Sequence, residues 1–201
     1  MLFIDAKDIP PDRKVTYLRV SVVSAPRPEK ANPHLVRWTV GGDKIDYPFD
    51  VSTKTADLTT AKLLINSVLS AAGAMFITAD LKDFYLGTPM TRFEYMRVPI
   101  LMLTEAIIKQ YNLRPTFNNG YVYLEIRRCM YGLPQAGRLA NDQLVAFLEP
   151  HGYKTCPLTP GLRQHTTRDL VFTLVVDDFG VRPVHRSGRR RTSHCDPQNC
   201  I

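Results

Sequence analysis

The amino-acid sequence predicts an α+β protein, on three observations. Strand-like and helix-like patterns are intermingled along the 201 residues and do not fall into separate blocks. Apolar residues recur at three- and four-residue spacing in 57–72, which is typical of a helix. Residues 170–176 form a strongly β-branched run, which is typical of a strand.

Each element follows from its local pattern. Residues 1–54 are polar and punctuated by prolines, and apolar stretches at 17–23 and 35–40 precede the turn signal Gly41–Gly42, so we expect short strands there. The helix at 57–72 is expected to end at Gly73. The later patterns predict, in order, a buried strand at 75–81, a strand at 93–98, a helix at 101–111, a half-buried strand at 121–127, a helix at 134–148 and the strand at 170–176.

Composition excludes several classes of protein. No apolar run approaches the roughly 20 residues that cross a bilayer, and residues 1–10 lack the basic start and apolar core of a secretory signal. None of the four cysteines forms a C-x-x-C pair, so we expect free thiols. The net charge of +7 supports nucleic-acid binding only weakly, because much of it is concentrated in residues 181–201. That segment has five arginines against one aspartate.

Three aspartates follow predicted strands and form the candidate chemical site. Asp80 ends the run at 75–81, and Asp177 and Asp178 follow the run at 170–176. Acidic groups beside apolar strands lose solvation and repel one another, which a pair of divalent cations can offset. The alternative is structural, since Asp favours turns and Asp177–Asp178 can simply form a hairpin, with Asp80 an ordinary acid at a strand end.

Three stretches in order resemble motifs A, B and C of reverse transcriptases. They are TADLKDFYLGTPM at 78–90, YGLPQAG at 131–137 and FTLVVDDFGV at 172–181. The resemblance is to elements with long terminal repeats, nearer the copia type than the gypsy type, and covers roughly 30–182. It implies a partial right-hand polymerase without a thumb: part of the fingers in 1–74 and a palm with an antiparallel sheet in 75–182. We expect 183–201 to be disordered and translated out of frame.

The resemblance also implies the roles of individual residues. Asp80, Asp177 and Asp178 are expected to be catalytic and to bind two Mg²⁺ ions, or Mn²⁺, with Leu81 also in the metal site. Tyr85 is expected to lie against the incoming sugar, and the backbone of Asp83 and Phe84 to face the triphosphate. Gln135 is expected over the nucleotide, Gly137 to allow close approach, and Arg37 to grip the triphosphate. The alternatives are that Tyr85 is core, that Gln135 caps its own helix turn and that Arg37 is a solvated strand residue.

Two positions depart from the family pattern. Val175 stands where a Tyr commonly precedes the acid pair, which leaves a contact to the primer in doubt. Arg163 stands where an aromatic residue is expected, and we expect it to destabilise the fold unless it reaches solvent.

The function implied is RNA-directed DNA polymerisation, in which deoxynucleoside triphosphates extend a primer on an RNA or DNA template. The protein is expected in the cytoplasm, in a virus-like particle, or in the nucleus, with other retrotransposon polyprotein products as further partners. Without a thumb, the isolated chain is expected to have weak activity or none. The alternatives are an inactive relic of a retroelement and a basic fragment that binds nucleic acid by contact alone.

Overall fold

A computed structural model describes residues 1–22, 36–175 and 178–183 of the chain. No helix among these residues is long and apolar enough to span a bilayer. The described elements are β1 (Leu2–Ile4), β2 (Val15–Val22), β3 (Val36–Val40), α1 (Leu58–Leu69), β4 (Ile77–Asp80), α2 (Phe84–Gly87), β5 (Pro89–Pro99), α3 (Glu105–Gln110), β6 (Tyr121–Arg128), α4 (Ala136–Leu148), β7 (Tyr153–Thr155), β8 (Leu162–His165), β9 (Leu170–Val175) and β10 (Asp178–Pro183).

The strands form two five-stranded sheets, each in its own compact unit. Unit 1 comprises Met1–Val51 and Tyr85–Ala140, and unit 2 comprises Ser52–Phe84 and Asn141–Ile201. Sheet 1 has the order β1-β6-β5-β2-β3, with one parallel pair, β2 and β5, among antiparallel neighbours. Sheet 2 has the order β4-β10-β9-β8-β7 and all its pairs are antiparallel. The predicted α+β class is confirmed.

The core of unit 1 lies on one face of sheet 1. In β6, Val122, Leu124 and Ile126 are buried, whereas Tyr121 and Tyr123 between them are half-buried. This alternation follows from the two-residue period of a strand and gives the sheet an inner and an outer face. The inner face packs with buried residues of α3 and α4 and of the segments that follow α3 and precede α4 (Ile108, Leu113, Leu133 and Ala136).

The core of unit 2 joins α1 to β9. Asp57 caps the helix, because its carboxylate accepts a 2.6 Å hydrogen bond from the backbone N–H of Thr60. Hydrogen bonds from the side chain and the backbone of Thr60 lower the pKa of Asp57. The backbone of Ala56 donates to the carbonyl of Leu174 at 3.0 Å, so the start of α1 is tied to the sheet.

Several predicted elements differ from the observed ones. The strand at 75–81 was expected to be buried, but β4 lies at an edge of sheet 2 and all its residues are exposed. The helix at 101–111 is shorter than predicted because Ile100–Met102 forms a 3-10 turn and Thr104 caps α3, accepting from the backbone of Ile107 at 3.4 Å. The disorder predicted for 183–201 concerns residues that lie, apart from Pro183, outside the described part of the chain.

Arg163 does not reach solvent, and the destabilisation expected in that case stays a prediction. It lies in β8 with 3% of its surface exposed, and its guanidinium donates to Thr155 Oγ1 at 3.2 Å and to Asn141 Oδ1 at 3.3 Å. Burial lowers its pKa, against the charge of Glu149, which raises it. Neutral oxygens therefore solvate this cation inside unit 2.

The two described cysteines should react slowly with alkylating reagents in the folded protein. Cys129 and Cys156 are buried and form no disulfide within the described part of the chain. Desolvation raises the pKa of the Cys129 thiol to about 11, so little of its reactive thiolate exists at neutral pH. In the variant Cys195→Ser, Cys200→Ser, we expect alkylation at pH 7.5 to be at least tenfold slower than in denaturant. Equal rates with and without denaturant, followed by mass spectrometry, would contradict this burial.

Candidate active site

Asp80 and Asp178 are directly opposite each other on adjacent antiparallel strands. Asp80 is the last residue of β4 and Asp178 is the first of β10, and the two are register partners. Opposed residues of an antiparallel pair have Cβ atoms about 4.5–5.5 Å apart. Both residues are exposed. The structure therefore brings together two of the three predicted aspartates at one end of sheet 2.

The third predicted aspartate, Asp177, lies outside the described residues. Val175, the last residue of β9, is the register partner of Asp178, so residues 176–177 connect two neighbouring antiparallel strands. The hairpin alternative concerns Asp177 and stays open, but it gives no reason for Asp80 to be opposite Asp178.

A close contact holds the residue before β4 against sheet 2. The ring of Phe76, just before β4, lies over Gly180, where an added Cβ would come within 3.1 Å of the ring and 3.0 Å of Thr173 Oγ1. Gly180 is the register partner of Thr78 in β4 and of Thr173 in β9. The glycine in the sequence DDFG therefore leaves room for Phe76, a role that the sequence pattern did not indicate.

The chemistry of the Asp80–Asp178 pair suits a hard cation. Like charges directly opposite across a sheet are destabilising, and a divalent cation removes that repulsion. Carboxylate oxygens are the donors that Mg²⁺ prefers. No group of three or more His, Cys, Asp or Glu side chains placed for a metal occurs among the residues described, which do not include Asp177. Half-buried Leu81, also predicted for this site, directly follows Asp80.

The second motif, YGLPQAG, is held to β3 by a backbone contact. Val40 donates its N–H to the carbonyl of Tyr131 at 2.8 Å. Gly132 has a φ of +96°, and a Cβ there would overlap the carbonyl oxygen of Val40. Gly137, predicted to allow close approach, lies in the first turn of α4. The contact with Val40 is at Gly132, which was not among the predicted site residues.

Gln135 is fully buried and hydrogen-bonded to a buried acid. Its exposed fraction is 0% and that of Glu94 is 3%. Gln135 Nε2 donates to Glu94 Oε1 at 3.1 Å, so the side chain does not cap its own helix turn as one alternative held. Arg92 donates to the same Glu94 oxygen at 2.7 Å. Gln135 Oε1 has no hydrogen-bond partner among the described residues.

The pKa of Glu94 reflects this setting. Burial raises it above the ordinary value of 4.5, and the charges of Arg92 and Arg13 together with the hydrogen bond from Gln135 oppose the rise. Desolvation outweighs the ion pair because the carboxylate is almost wholly removed from water.

Tyr85 is half-buried and packs against the core of unit 1. Its ring meets that of Tyr131 edge to face, with 5.1 Å between centroids. This packing is what the core alternative describes, and the sugar-contact role stays a prediction.

The other predicted substrate residues are exposed or half-buried. Asp83 is exposed with a φ of +56°, a conformation that Asp tolerates better than most residues. Half-buried Phe84 begins α2. Arg37 is an exposed residue of β3 opposite Ser21, which fits its alternative as a solvated strand residue.

The predicted site residues are divided between the two units. Asp80, Leu81, Asp83, Phe84 and Asp178 belong to unit 2, and Arg37, Tyr85, Gln135 and Gly137 belong to unit 1. No model of a known protein family and no curated protein matches this chain.

Glu94 should make stability depend on pH. An acid whose pKa is raised by folding binds its proton more tightly in the folded state, so the free energy of unfolding falls as pH rises from the ordinary value of 4.5 through the raised pKa. In Glu94→Gln this fall should be absent. We expect the variant to gain stability relative to the wild type as pH rises, when the unfolding free energies are compared in urea titrations at pH 4 to 8. A pH-independent difference would contradict the raised pKa.

Gly132→Ala should destabilise unit 1 by more than about 2 kcal/mol. The left-handed conformation costs an alanine about 1–2 kcal/mol, and the Cβ would also overlap the Val40 carbonyl. The matched control is Gly120→Ala, because Gly120 has a similar φ of +82° but no atom within 4 Å of its added Cβ. Equal destabilisation of the two variants in urea unfolding would show that the contact with Val40 contributes nothing to the free energy of unfolding.

Proposed function

We propose that this chain is a fingers-and-palm fragment of a reverse transcriptase from a copia-like retrotransposon with long terminal repeats. The observation that carries the proposal is the register of β4 with β10. It pairs the aspartate of the motif A-like stretch with an aspartate of the motif C-like stretch, although a long segment of the chain separates them. In this proposal, sheet 2, which contains β4 and β10, corresponds to the palm sheet.

The residues that would hold the metal are Asp80, Asp178 and their neighbour Asp177. When bound, two Mg²⁺ ions would activate the attacking oxygen of the primer and stabilise the leaving oxygen of the triphosphate. The chain itself places two carboxylates at the ends of hydrogen-bonded strands. Such fixed groups need little rearrangement when negative charge develops, which is how electrostatic catalysis lowers a barrier.

The substrates are then an RNA or DNA template with its primer, and deoxynucleoside triphosphates. The other predicted residues keep, each within its own unit, the roles that the resemblance implies. In unit 2 the backbone of Asp83 and Phe84 would contact phosphates; in unit 1 Arg37 would contact phosphates, Tyr85 a sugar, and Gln135 with Gly137 a base. Gln135 lies wholly inside unit 1, so its contact with a base requires exposure of its amide.

Primer extension on an oligonucleotide-primed RNA template tests the proposal. We expect weak extension with Mn²⁺ or Mg²⁺, reduced at least 100-fold in Asp80→Asn and in the double variant Asp177→Asn, Asp178→Asn, since each removes metal ligands. Asp12→Asn, an exposed acid of unit 1, is the control and should retain activity. Extension that persists in both acid variants would contradict the proposal.

Mn²⁺ binding, followed by electron paramagnetic resonance, gives a second readout that does not depend on catalysis. Wild type and Asp12→Asn should bind the ion alike, and Asp80→Asn should bind it at least tenfold more weakly. Binding without extension would identify an inactive relic of a polymerase. Equal binding by all three proteins would contradict a metal site at β4 and β10.

A further inference from the structure

A tight turn leads into β6. The backbone N–H of Asn118 donates to the carbonyl of Tyr121, and the N–H of Tyr121 donates to the carbonyl of Asn118, both at 2.9 Å. Between these residues, Asn119 has a φ of +49° and Gly120 a φ of +82°. Two positive φ values in succession are those of a type I′ turn, for which Asn-Gly is a strongly preferred sequence. The dipeptide therefore suits its place in the fold.

The turn is accessible to solvent. Asn118, Asn119 and Gly120 are all exposed, and no atom lies within 4 Å of a Cβ built on Gly120. The N–H of Gly120 makes no hydrogen bond to any residue that the structure describes. Exposed segments with few packing contacts open locally without unfolding of the whole domain. The backbone nitrogen of Gly120 is thus accessible to the side chain of Asn119 when the turn opens.

Asn112 provides a contrast within the same unit. It is also exposed, and its φ of +48° is almost that of Asn119. The next residue, Leu113, is 1% exposed and belongs to the core of unit 1, and its N–H donates to the carbonyl of Ile108 at 3.0 Å. A reaction at this nitrogen would require the loss of a buried hydrogen bond, which is costly. The two asparagines therefore differ mainly in the nitrogen that follows them.

We propose that Asn119 is a site of spontaneous covalent modification, in which its side chain cyclises onto the backbone of Gly120. The nitrogen of Gly120 loses its proton and forms a bond to Cγ of Asn119. The bond between Cγ and the side-chain nitrogen breaks, and the amide group leaves with that proton as ammonia. Because glycine has no side chain, the five-membered succinimide ring closes without a steric clash. Water then opens one of the two ring carbonyls, which gives aspartate or isoaspartate.

The two products should affect the fold differently. Aspartate tolerates a positive φ as asparagine does, so it can keep the type I′ turn. Isoaspartate adds one methylene group to the backbone, so the two hydrogen bonds between Asn118 and Tyr121 can no longer both form. Tyr121 is the first residue of β6, which lies between β1 and β5. Because turn geometry contributes to strand register, isoaspartate should weaken pairing at this end of sheet 1.

Mass spectrometry of the folded full chain, incubated at pH 7.4 and at pH 8.5, tests the proposal. Residues 110–127 form one tryptic peptide, because Arg114 is followed by proline, so both asparagines are measured together. We expect conversion of the amide to a carboxyl group at Asn119 to be at least about tenfold faster than at Asn112, whose neighbouring nitrogen is bonded and buried. Conversion should be faster at the higher pH, because the attacking nitrogen must lose a proton. An isoaspartate-specific methyltransferase should label the product, and an unincubated sample is the blank.

Two variants separate ring closure from its effect on the fold. Gly120→Ala should slow conversion about tenfold, because a side chain hinders ring closure. Asn119→Asp cannot lose ammonia and should melt as wild type does, whereas the purified isoaspartate form should melt at a lower temperature. Melting is followed by circular dichroism, which also checks that Gly120→Ala folds.

Four outcomes would overturn the proposal. Equal conversion at Asn112 and Asn119 would mean that the following nitrogen is irrelevant, as would an unchanged rate in Gly120→Ala. Aspartate without isoaspartate would indicate direct hydrolysis, which forms no ring. Conversion in urea but not in the folded chain would show that the turn protects Asn119. The inference requires neither the aspartates of sheet 2 nor a nucleotide site, so its failure and that of the polymerase proposal are separate outcomes.

Discussion

The arrangement of sheet 2 depends on the hydrogen-bonding of β10 on both of its edges. Asp178 is opposite Val175 on one side and Asp80 on the other, so one strand sets the position of both aspartates. Because side chains alternate between faces, a slip of one residue between β4 and β10 would turn Asp80 and Asp178 to opposite sides of the sheet. The chemistry proposed for this end of the molecule is therefore a property of strand register more than of any single side chain.

Local patterns were sufficient for the main elements of the fold but not for this register. The β-branched run before Asp177 predicted β9, and the spacing of Leu58 and Val68 predicted α1. Strand β10 was not predicted, because its sequence DFGVRP has weak strand propensity and its stability comes from its two neighbours. The short strands β1, β7 and β8 were also not predicted, because three or four residues are too few for a periodic pattern.

The buried polar pair in unit 1 shows a different limit. In the predicted strand at 93–98, a regular alternation places Glu94 on the same face as Met96 and Val98, where an acid without a partner is costly. Its partners Arg92 and Gln135 become visible only in the folded chain, since Gln135 is 41 positions away. Burial does not follow the alternation here, because Tyr95, which lies between Glu94 and Met96 in continuous register, is buried as well. The candidate site was predictable as a set of residue types, but the burial of Gln135 was not.

The two units are interleaved along the chain, and this has a consequence for synthesis. Unit 1 includes residues on both sides of β4, while β4 itself can pair only after β5 to β9 have been made and β10 has emerged. Contacts between distant segments form slowly because the intervening chain must first be ordered. During translation, β4 and the adjacent Met75 and Phe76 are therefore an apolar strand without a partner, and an unpaired strand of this kind readily joins another chain. In each nascent molecule, the arrival of β10, the last described strand, satisfies one of the two hydrogen-bonding edges of β4.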